Sequence, residues 1–239
     1  MSEPLVEVKG VTKRYGATLA VDDVSLTIRA REIYALVGAN GAGKSTLIRS
    51  IVGITAPDAG EVLVCGEDMR RHSVRAKHNI GYLPEELTLY ERLTGEEYLQ
   101  LVAGLKDADP QRIPEALDFF ELKEVAAKWV GGYSLGMRKK LGLAAAMLGA
   151  ARVLVLDEPL NGLDVEMMRK LRHRITAERE AGRALIISSH VMDFVERTAT
   201  RVAVMSGGRI KAEGSPEALR RQTGLEGASF EDVFFHLAK

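Results

Sequence analysis

Apolar and polar positions alternate in short runs along the chain, and these runs predict β-strands. Residues 21–28 alternate apolar with polar positions, which is typical of a strand with one solvated face. Other short runs are rich in β-branched residues, which favour strands. The segments that we interpret as strands are residues 5–8, 21–28, 33–37, 61–65, 79–83, 153–156, 184–188, 201–205 and 209–212. In this interpretation Cys65 is a small apolar strand residue.

Helical patterns separate several of these strands. Residues 44–52 predict a helix that Gly53 ends, and residues 165–181 predict a charged helix that ends at Gly182. Because the charged helix connects two predicted strands, it indicates a βαβ unit and therefore a parallel sheet.

Residues 88–149 have helical character. Thr94 and Glu97 form the pattern of a capping box, and Asp109-Pro110 places a cap and a first-turn proline. We therefore predict that this stretch is a helical insert within an α/β fold.

The pattern as a whole predicts one domain, with an N-terminal antiparallel β subdomain beside a mostly parallel sheet. Near the C-terminus, Ser215-Pro216 caps a helix, and residues 230–238 form a last amphipathic helix. The expected divisions of the domain 1–239 are a core (1–87 and 150–213), the inserted α-helical subdomain (88–149) and a C-terminal helical tail (214–239).

Charge and cysteine content narrow the function. The net charge is zero, with 33 basic and 33 acidic residues, so we expect no nucleic-acid partner. Cys65 is the only cysteine, which excludes an internal disulfide and fits a reducing compartment. The first residues lack a basic segment followed by an apolar one, so we expect no secretory signal. The most apolar window, residues 141–151, is about half the length of a membrane span. Any work at a membrane would therefore need partner chains.

A glycine-rich segment carries the clearest chemistry. Residues 38–45 match G-x-x-x-x-G-K-[ST] and lie between a predicted strand and a predicted helix, which is the context that this phosphate-binding motif requires. Its backbone N–H groups can surround phosphate oxygens, Lys44 can reach the terminal phosphates, and Ser45 can ligate Mg²⁺. The residues predicted to bind ATP here are Gly38, Ala39, Asn40, Gly41, Ala42, Gly43, Lys44, Ser45 and Thr46.

Two carboxylates end the apolar strand of residues 153–156. Asp157 and Glu158 should emerge at the carboxyl edge of the sheet, where open α/β folds bind ligands. We predict that Asp157 holds Mg²⁺ through its water shell. Glu158 would polarise the water that attacks the terminal phosphate.

Three further segments follow in a recognisable order: Ser134-Leu135-Gly136, the turn of residues 161–164, and Ser189-His190. With the glycine-rich loop and the acidic strand end, they make the chain resemble the ATP-binding subunit of an ABC transporter over essentially its whole length. Residues 38–45 look like its Walker A motif and residues 154–158 like its Walker B motif. Residues 161–164 look like its D-loop, with Asp164 at the subunit contact, and His190 like its switch histidine.

The resemblance implies a P-loop NTPase (RecA-like) core, with ATP and Mg²⁺ as ligands. It also implies a dimer that holds each ATP between one subunit's phosphate loop and the other's Ser134 and Gly136. Tyr15 is placed as the aromatic residue on which adenine stacks. The alternative for Tyr15 is a half-buried strand tyrosine. His190 would hydrogen-bond the γ-phosphate or position Glu158.

Two departures from the family pattern stand out. The signature Leu-Ser-Gly-Gly-Gln reads here as residues 133–137, Tyr-Ser-Leu-Gly-Met. The glutamine expected after residues 81–84 is Glu85, whose oxygen would still ligate Mg²⁺ but which brings an extra negative charge. These departures, with a Phe-rich last helix, resemble the ATPase subunits of ABC-2 type exporters.

We therefore expect an ATPase that powers export through a multispanning membrane permease, with a homodimer favoured over a heterodimer. It would be cytoplasmic and peripheral, held at the cytoplasmic face of the membrane through its partner. One alternative is a soluble ABC ATPase in cofactor assembly or nucleic-acid maintenance. Another is a phosphate-transferring kinase, which the signature-like segment in the insert argues against.

Glu85 and the adjoining insert are expected to form the surface on which the membrane partner docks. Exposed apolar side chains at Leu87, Leu89 and Tyr90 would fill a groove there. The alternative is that these residues belong to the core of the subdomain.

Overall fold

Two β-sheets and a set of helices make up the part of the chain that the computed structural model describes, residues 3–225 and 227–238. Residues 1, 2 and 239, at the ends of the expected domain, lie outside the described residues. The strands are β1 (Pro4–Tyr15), β2 (Thr18–Arg29), β3 (Ile33–Val37), β4 (Ala59–Val64), β5 (Glu67–Asp68), β6 (Ile80–Leu83), β7 (Val153–Asp157), β8 (Ala184–Ser188), β9 (Arg201–Ser206) and β10 (Arg209–Gly214).

The α-helices lie between and after these strands. They are α1 (Lys44–Ile51), α2 (Ser73–His78), α3 (Gly95–Leu105), α4 (Ile113–Phe119), α5 (Leu135–Met147), α6 (Val165–Glu180), α7 (Met192–Thr198), α8 (Pro216–Thr223) and α9 (Phe230–Leu237). Short 3₁₀ turns at Pro110–Arg112, Lys123–Val125 and Val130–Gly132 link the helices of the insert.

The two sheets differ in strand direction. The first has the order β2-β1-β4-β5 and is antiparallel. The second has the order β10-β9-β3-β8-β7-β6 and is parallel except for the β9–β10 hairpin. Every residue of β3, β7 and β8 is buried, as expected for parallel strands with helices on both faces. The predicted mostly parallel sheet and antiparallel β subdomain are confirmed.

Capping residues that the sequence predicts lie at the start of several helices. Thr94 and Glu97 form the predicted capping box at the start of α3, and Ser215 accepts a hydrogen bond from the Ala218 N–H at the start of α8. Asp109 likewise accepts from the Gln111 N–H before the turn at Pro110–Arg112. These bonds satisfy N–H groups that a helix start leaves without partners.

The prediction that Cys65 is a strand residue is wrong. β4 ends at Val64, which pairs with Glu67 of β5 across a two-residue turn. In that turn Cys65 has φ of 51° and Gly66 has φ of 79°. Positive φ at both central residues is the backbone of a type I′ hairpin turn, whose twist matches that of the flanking strands. An apolar run predicts burial and does not reveal this local change of backbone direction.

The hydrophobic core has three parts. One fills the space between the insert and the parallel sheet, and it includes Leu83, Leu141 and Leu156. The second joins the antiparallel sheet to α1 and the other face of the parallel sheet. The third packs α9 and its neighbours against β9, through Phe230, Val233 and Phe234. Within residues 3–225 and 227–238, no helix is long and apolar enough to cross a membrane.

Candidate functional site

The glycine-rich loop lies between β3 and α1, tightly packed against other strands. A Cβ atom on Gly38 would lie 2.5 Å from the carbonyl oxygen of Met205 on β9. Gly43 has φ of 102°, and a Cβ there would overlap the carbonyl oxygen of Ala20 on β2. Only glycine fits at either position, so the backbone itself forms the wall of the site.

Lys44 opens α1 and folds back over the loop. Its Nζ donates hydrogen bonds to the carbonyl oxygens of Gly38 at 2.7 Å and Ala39 at 3.2 Å. Gly43 is the N-cap of α1 and no side chain caps the helix, so its first N–H groups have no intrahelical partner. This arrangement of N–H groups and an ammonium suits an anionic ligand.

A cavity of about 570 Å³ opens over this loop. Its volume is in the range of small-molecule sites. It is lined by Thr18, Leu19, Ala20, Asn40, Gly41, Ala42, Gly43, Lys44, Ser45, Thr46, Glu85, Asp157, Glu158, Gly207 and Gly208. The structure thus brings residues 40–46 together with Asp157, Glu158 and Glu85, while Gly38 and Ala39 lie behind the cavity. The start of β2 at residues 18–20 and the turn of residues 207–208 between β9 and β10 also line it, although the sequence motifs did not indicate them.

Asp157 and Glu158 are 3% and 7% exposed, although both are carboxylates. The hydroxyl of Ser188 donates to Oδ1 of Asp157, and the Glu158 N–H donates to the same hydroxyl oxygen at 2.9 Å. Glu158 has φ of 47°, an uncommon conformation for a residue with a side chain. Ser188 was missed by the sequence motifs; the only signal is a polar residue at the end of an apolar strand.

Burial and two neighbouring carboxylates disfavour the charged form of Asp157. Burial raises the pKa of Asp157, the hydrogen bond from Ser188 lowers it, and the negative charges of Glu85 and Glu158 raise it further. A cation among these oxygens would relieve that repulsion. Among the described residues, no group of three or more His, Cys, Asp or Glu side chains could hold a metal by itself. Mg²⁺ commonly uses one or two carboxylates together with substrate phosphates, so Ser45, Asp157 and Glu85 fit such an ion only in company with a nucleotide.

His190 follows β8 and contacts Glu158, which lines the cavity. Its Nδ1 is 2.9 Å from Oε2 of Glu158, and its side chain is 66% exposed. The structure therefore brings His190 and Glu158 into direct contact.

Ser134 and Gly136 lie elsewhere on the chain's surface and do not line the cavity. Ser134 is exposed and accepts a hydrogen bond from the Met137 N–H at the start of α5. A Cβ on Gly136 would lie 2.9 Å from the carbonyl oxygen of Gly162, so this segment packs against the turn before α6. Asp164 caps α6 by accepting from the Met167 N–H at 2.8 Å. The signature-like segment and the D-loop-like turn are thus neighbours within one chain.

Two other expected sites have mixed outcomes. Tyr15 ends β1, is 47% exposed, and has the Lys13 ammonium 5.5 Å from its ring centroid.

Leu89 is buried and Leu87 packs against the core of the insert, so the expectation that both are exposed is wrong. Leu87, which is partly buried, packs against Gly142 of α5. Only Tyr90 of the three is exposed, at 66%.

Comparison with known proteins identifies the family. The sequence model of the ABC transporter family matches residues 21–161. The chain is 38% identical over 208 residues to YhcH of Bacillus subtilis, an uncharacterized ABC transporter ATP-binding protein, covering 86% of this chain and 68% of that one. It is 31% identical over 239 residues to EcsA of Bacillus subtilis, an ABC-type transporter ATP-binding protein, covering 98% of this chain and 97% of that one. It is also 35% identical over 222 residues to the Nod factor export ATP-binding protein I of Ralstonia nicotianae, covering 91% and 69%.

Solved structures of ABC transporter subunits have the same fold. A structure of the ATP-binding subunit of an ABC transporter superposes with a TM-score of 0.94 at 32% identity, over 98% of this chain and 100% of that one. A dimeric bacterial ABC transporter cassette superposes at 0.81 with 22% identity, over 88% and 98%, and this likeness shows the fold alone. The chain belongs to the ABC transporter family, as an ATP-binding subunit. As an ABC ATPase, it binds and hydrolyses ATP.

Proposed function

We propose that this ATPase works as a dimer around two Mg-ATP and powers export through a separate membrane-spanning partner. The main support for the proposal is that one chain supplies only part of the expected ATP-binding residues to the cavity. Residues 40–46, Asp157 and Glu158 line it, whereas Ser134 and Gly136 lie outside it on the same chain. A second subunit would close the cavity by presenting its own Ser134 and Gly136 to the terminal phosphate.

Hydrolysis in this site would proceed by in-line attack of water on the γ-phosphorus. Glu158 accepts a proton from the water as its oxygen bonds to the γ-phosphorus. The bond from that phosphorus to the β–γ bridging oxygen breaks, and ADP leaves with the electron pair. Lys44 and the backbone N–H groups of the loop hold the negative charge on the phosphates. Mg²⁺, held by Ser45, Asp157 and Glu85, would neutralise charge on the phosphate oxygens. The ring of His190 keeps the Glu158 carboxylate oriented, and Tyr15 stacks on adenine.

Export is supported by the relatives. One of them is an export ATP-binding protein by name, from Ralstonia nicotianae. An open cavity of about 310 Å³ on the insert is lined by Tyr90, Leu93 and Leu101 together with Glu91 and Arg92, and its apolar side chains would suit a helix of a membrane-spanning partner. Proteins that co-purify from detergent-solubilised membranes test this part of the proposal. A multispanning partner supports export, and a soluble partner in its place contradicts it.

The dimer is tested with Glu158→Gln, which keeps the size of the side chain and removes its basicity. In Mg-ATP this variant should elute as a dimer in size-exclusion chromatography, and its turnover should fall by about 10²-fold or more. Mg-ADP serves as the control, in which the dimer should be absent. A monomer in Mg-ATP, together with normal turnover, contradicts both the base and the dimer.

A matched pair of serines separates the signature role from simple helix capping. Ser134 and Ser215 each accept one backbone N–H at a helix start, from Met137 at 3.3 Å and Ala218 at 3.2 Å. Replacing either by alanine should cost about 1 kcal/mol of stability. In the Glu158→Gln background, only Ser134→Ala should prevent the ATP-dependent dimer. Equal dimer formation in both would contradict the proposed contact.

A further inference from the structure

Lys139 is a charged residue in the protein interior, with 5% of its surface exposed. It lies on α5, the helix that Ser134 caps. Its Nζ donates a long hydrogen bond of 3.5 Å to the backbone carbonyl of Asp157, the last residue of β7. A buried ammonium with so weak a neutral partner is destabilising unless nearby negative charge compensates it.

That compensation comes from a group of carboxylates and not from a single ion pair. Burial lowers the pKa of Lys139, and the negative charges of Asp157, Glu158 and Glu85 raise it in part. Asp157 ends β7, Glu158 follows it, and Glu85 lies two residues after β6, so the three carboxylates follow the ends of two neighbouring strands. Among the described residues no ion pair of 4.0 Å or less includes Lys139, whose Nζ contacts the backbone carbonyl of Asp157.

Glu85 makes this field unusual. At this position the family resemblance leads one to expect a neutral glutamine, and the glutamate adds a third negative charge to the cavity that Asp157 and Glu158 already line. The buried ammonium of Lys139, whose Nζ lies 3.5 Å from the backbone carbonyl oxygen of Asp157, would offset part of that charge.

We propose that Lys139 is a positioning residue for ATP hydrolysis, which holds the end of β7 in place and offsets the negative charge that Glu85 adds. The inference rests on the ATPase function and names a residue that acts through Asp157 and Glu158. Lys139 also stands five residues after Ser134 on one helix, about 7 Å along its axis. A shift of α5 that carries Ser134 toward a second subunit would therefore also move the Lys139 ammonium relative to the end of β7.

The test replaces Lys139 by methionine, which keeps the length of the side chain and removes its charge. Lys139→Met should lower kcat for Mg-ATP by about 10- to 100-fold, as loss of a supporting group around a reactive site commonly does. The KM for ATP should change little, because Lys44 and the loop are untouched. Lys139→Arg, which keeps the charge, should recover most of the rate.

Lys106 provides a matched control. It is also a largely desolvated lysine whose Nζ donates to a backbone carbonyl, that of Ile80 at 3.4 Å, and burial lowers its pKa to about 8. Ile80 begins β6, whereas Glu85 follows the other end of that strand. Lys106→Met should therefore lose a partly buried ammonium while keeping the wild-type kcat. If Lys106→Met and Lys139→Met reduce kcat equally, the effect is general destabilisation and the proposal is overturned.

A double variant tests the charge balance itself. In a Glu85→Gln background, Lys139→Met should reduce kcat much less than it does in the wild type, because the charge to be offset has gone. Equal fold-reductions of kcat in the two backgrounds would show that Lys139 does not offset the charge of Glu85. A wild-type kcat for Lys139→Met would overturn the positioning role. Thermal unfolding followed by circular dichroism checks that each variant is folded, with Lys139→Gln in reserve if the methionine variant is not. A wild-type protein that fails to hydrolyse ATP would contradict the ATPase function instead.

Discussion

Nδ1 of His190 lies 2.9 Å from Oε2 of Glu158 and joins an exposed ring to a nearly buried carboxylate of the cavity. The His190 side chain is 66% exposed, whereas that of Glu158 is 10% exposed. The contact can therefore restrain the orientation of the carboxylate. The contact joins residues 32 positions apart, at the ends of the neighbouring strands β8 and β7.

His190→Ala should reduce kcat by about 10²-fold, which is the usual cost of removing one preorganised group from a reacting site. Nucleotide affinity should remain nearly unchanged, because the loop and Lys44 are intact. The measurement is steady-state hydrolysis of Mg-ATP together with nucleotide titration. His173→Ala is the control, since that histidine is exposed on α6 away from the cavity. Wild-type kcat in His190→Ala would contradict the role of this contact.

Lys44→Ala should weaken ATP binding by about 10- to 100-fold, since hydrogen bonds to charged groups contribute about 1.5–3 kcal/mol each. Turnover should be lost as well, because among the described residues Lys44 is the only lysine that lines the cavity. Nucleotide titration and a phosphate-release assay measure the two effects separately. Hydrolysis at the wild-type rate would show that the loop has been assigned wrongly.

Glu85→Ala should retain ATP binding and weaken the response of hydrolysis to the membrane partner. Glu85 lines the nucleotide cavity, and Leu87, two residues later, packs against the insert. A change at the nucleotide can therefore reach the insert through this short segment. The experiment compares the ATPase rates of wild type and variant, each alone and reconstituted with the partner. If the partner stimulates both rates by the same factor, Glu85 has no coupling role.

Glu121→Gln should lower stability in a way that depends on pH. Hydrogen bonds from Lys140 and Lys170 lower the pKa of Glu121 from 4.5 to about 2. Because the pKa is lower in the folded protein than in the unfolded chain, the pairing stabilises the fold fully above about pH 5 and loses this effect as the pH falls toward 2. The Glu121 side chain is 43% exposed, so solvent screening limits the contribution to about 1 kcal/mol or less.

Urea unfolding of wild type and Glu121→Gln across this pH range measures the difference. The difference between their free energies of unfolding should narrow as the pH falls from 5 to 3. It should also narrow in 1 M salt, because salt screens the attraction between the charges. A gap that is constant with pH would mean that packing, and not the charge of Glu121, stabilises the contact.

Gly142→Ala should destabilise the protein by about 1–2 kcal/mol, although alanine favours helices. A Cβ at this position on α5 would lie 2.6 Å from Cδ2 of Leu87 and 2.9 Å from Cδ1 of Leu83. Gly104→Ala on α3 is the control, because a Cβ there meets no atom within 4 Å. That control should stabilise the protein by about 0.5–1 kcal/mol, which is the helix preference of alanine over glycine. Thermal and urea unfolding distinguish the two, and stabilisation in both would show that α5 yields to the extra methyl group.

Local patterns in the sequence predicted much of the fold. The capping box at Thr94, the cap at Ser215 and the loop between β3 and α1 all depend on residues a few positions apart. Their backbone geometry follows from side chains that reach only a neighbouring turn. The positions of β3 and β8 were predicted to the residue, because a continuous apolar run between breakers has few other interpretations.

Contacts between distant parts of the chain were decided only by the tertiary structure. Ser188 and Asp157 are 31 residues apart, and Lys139 and Asp157 are 18 apart. Leu87 and Leu89 are apolar in the sequence whether they face a partner or the core, and packing under α5 decided in favour of the core. The sequence by itself determined which residues could bind phosphate and end a strand in carboxylates. Which other charges surround those carboxylates depends on how β6, β7 and α5 pack, since burial and electrostatic fields are properties of the assembled interior.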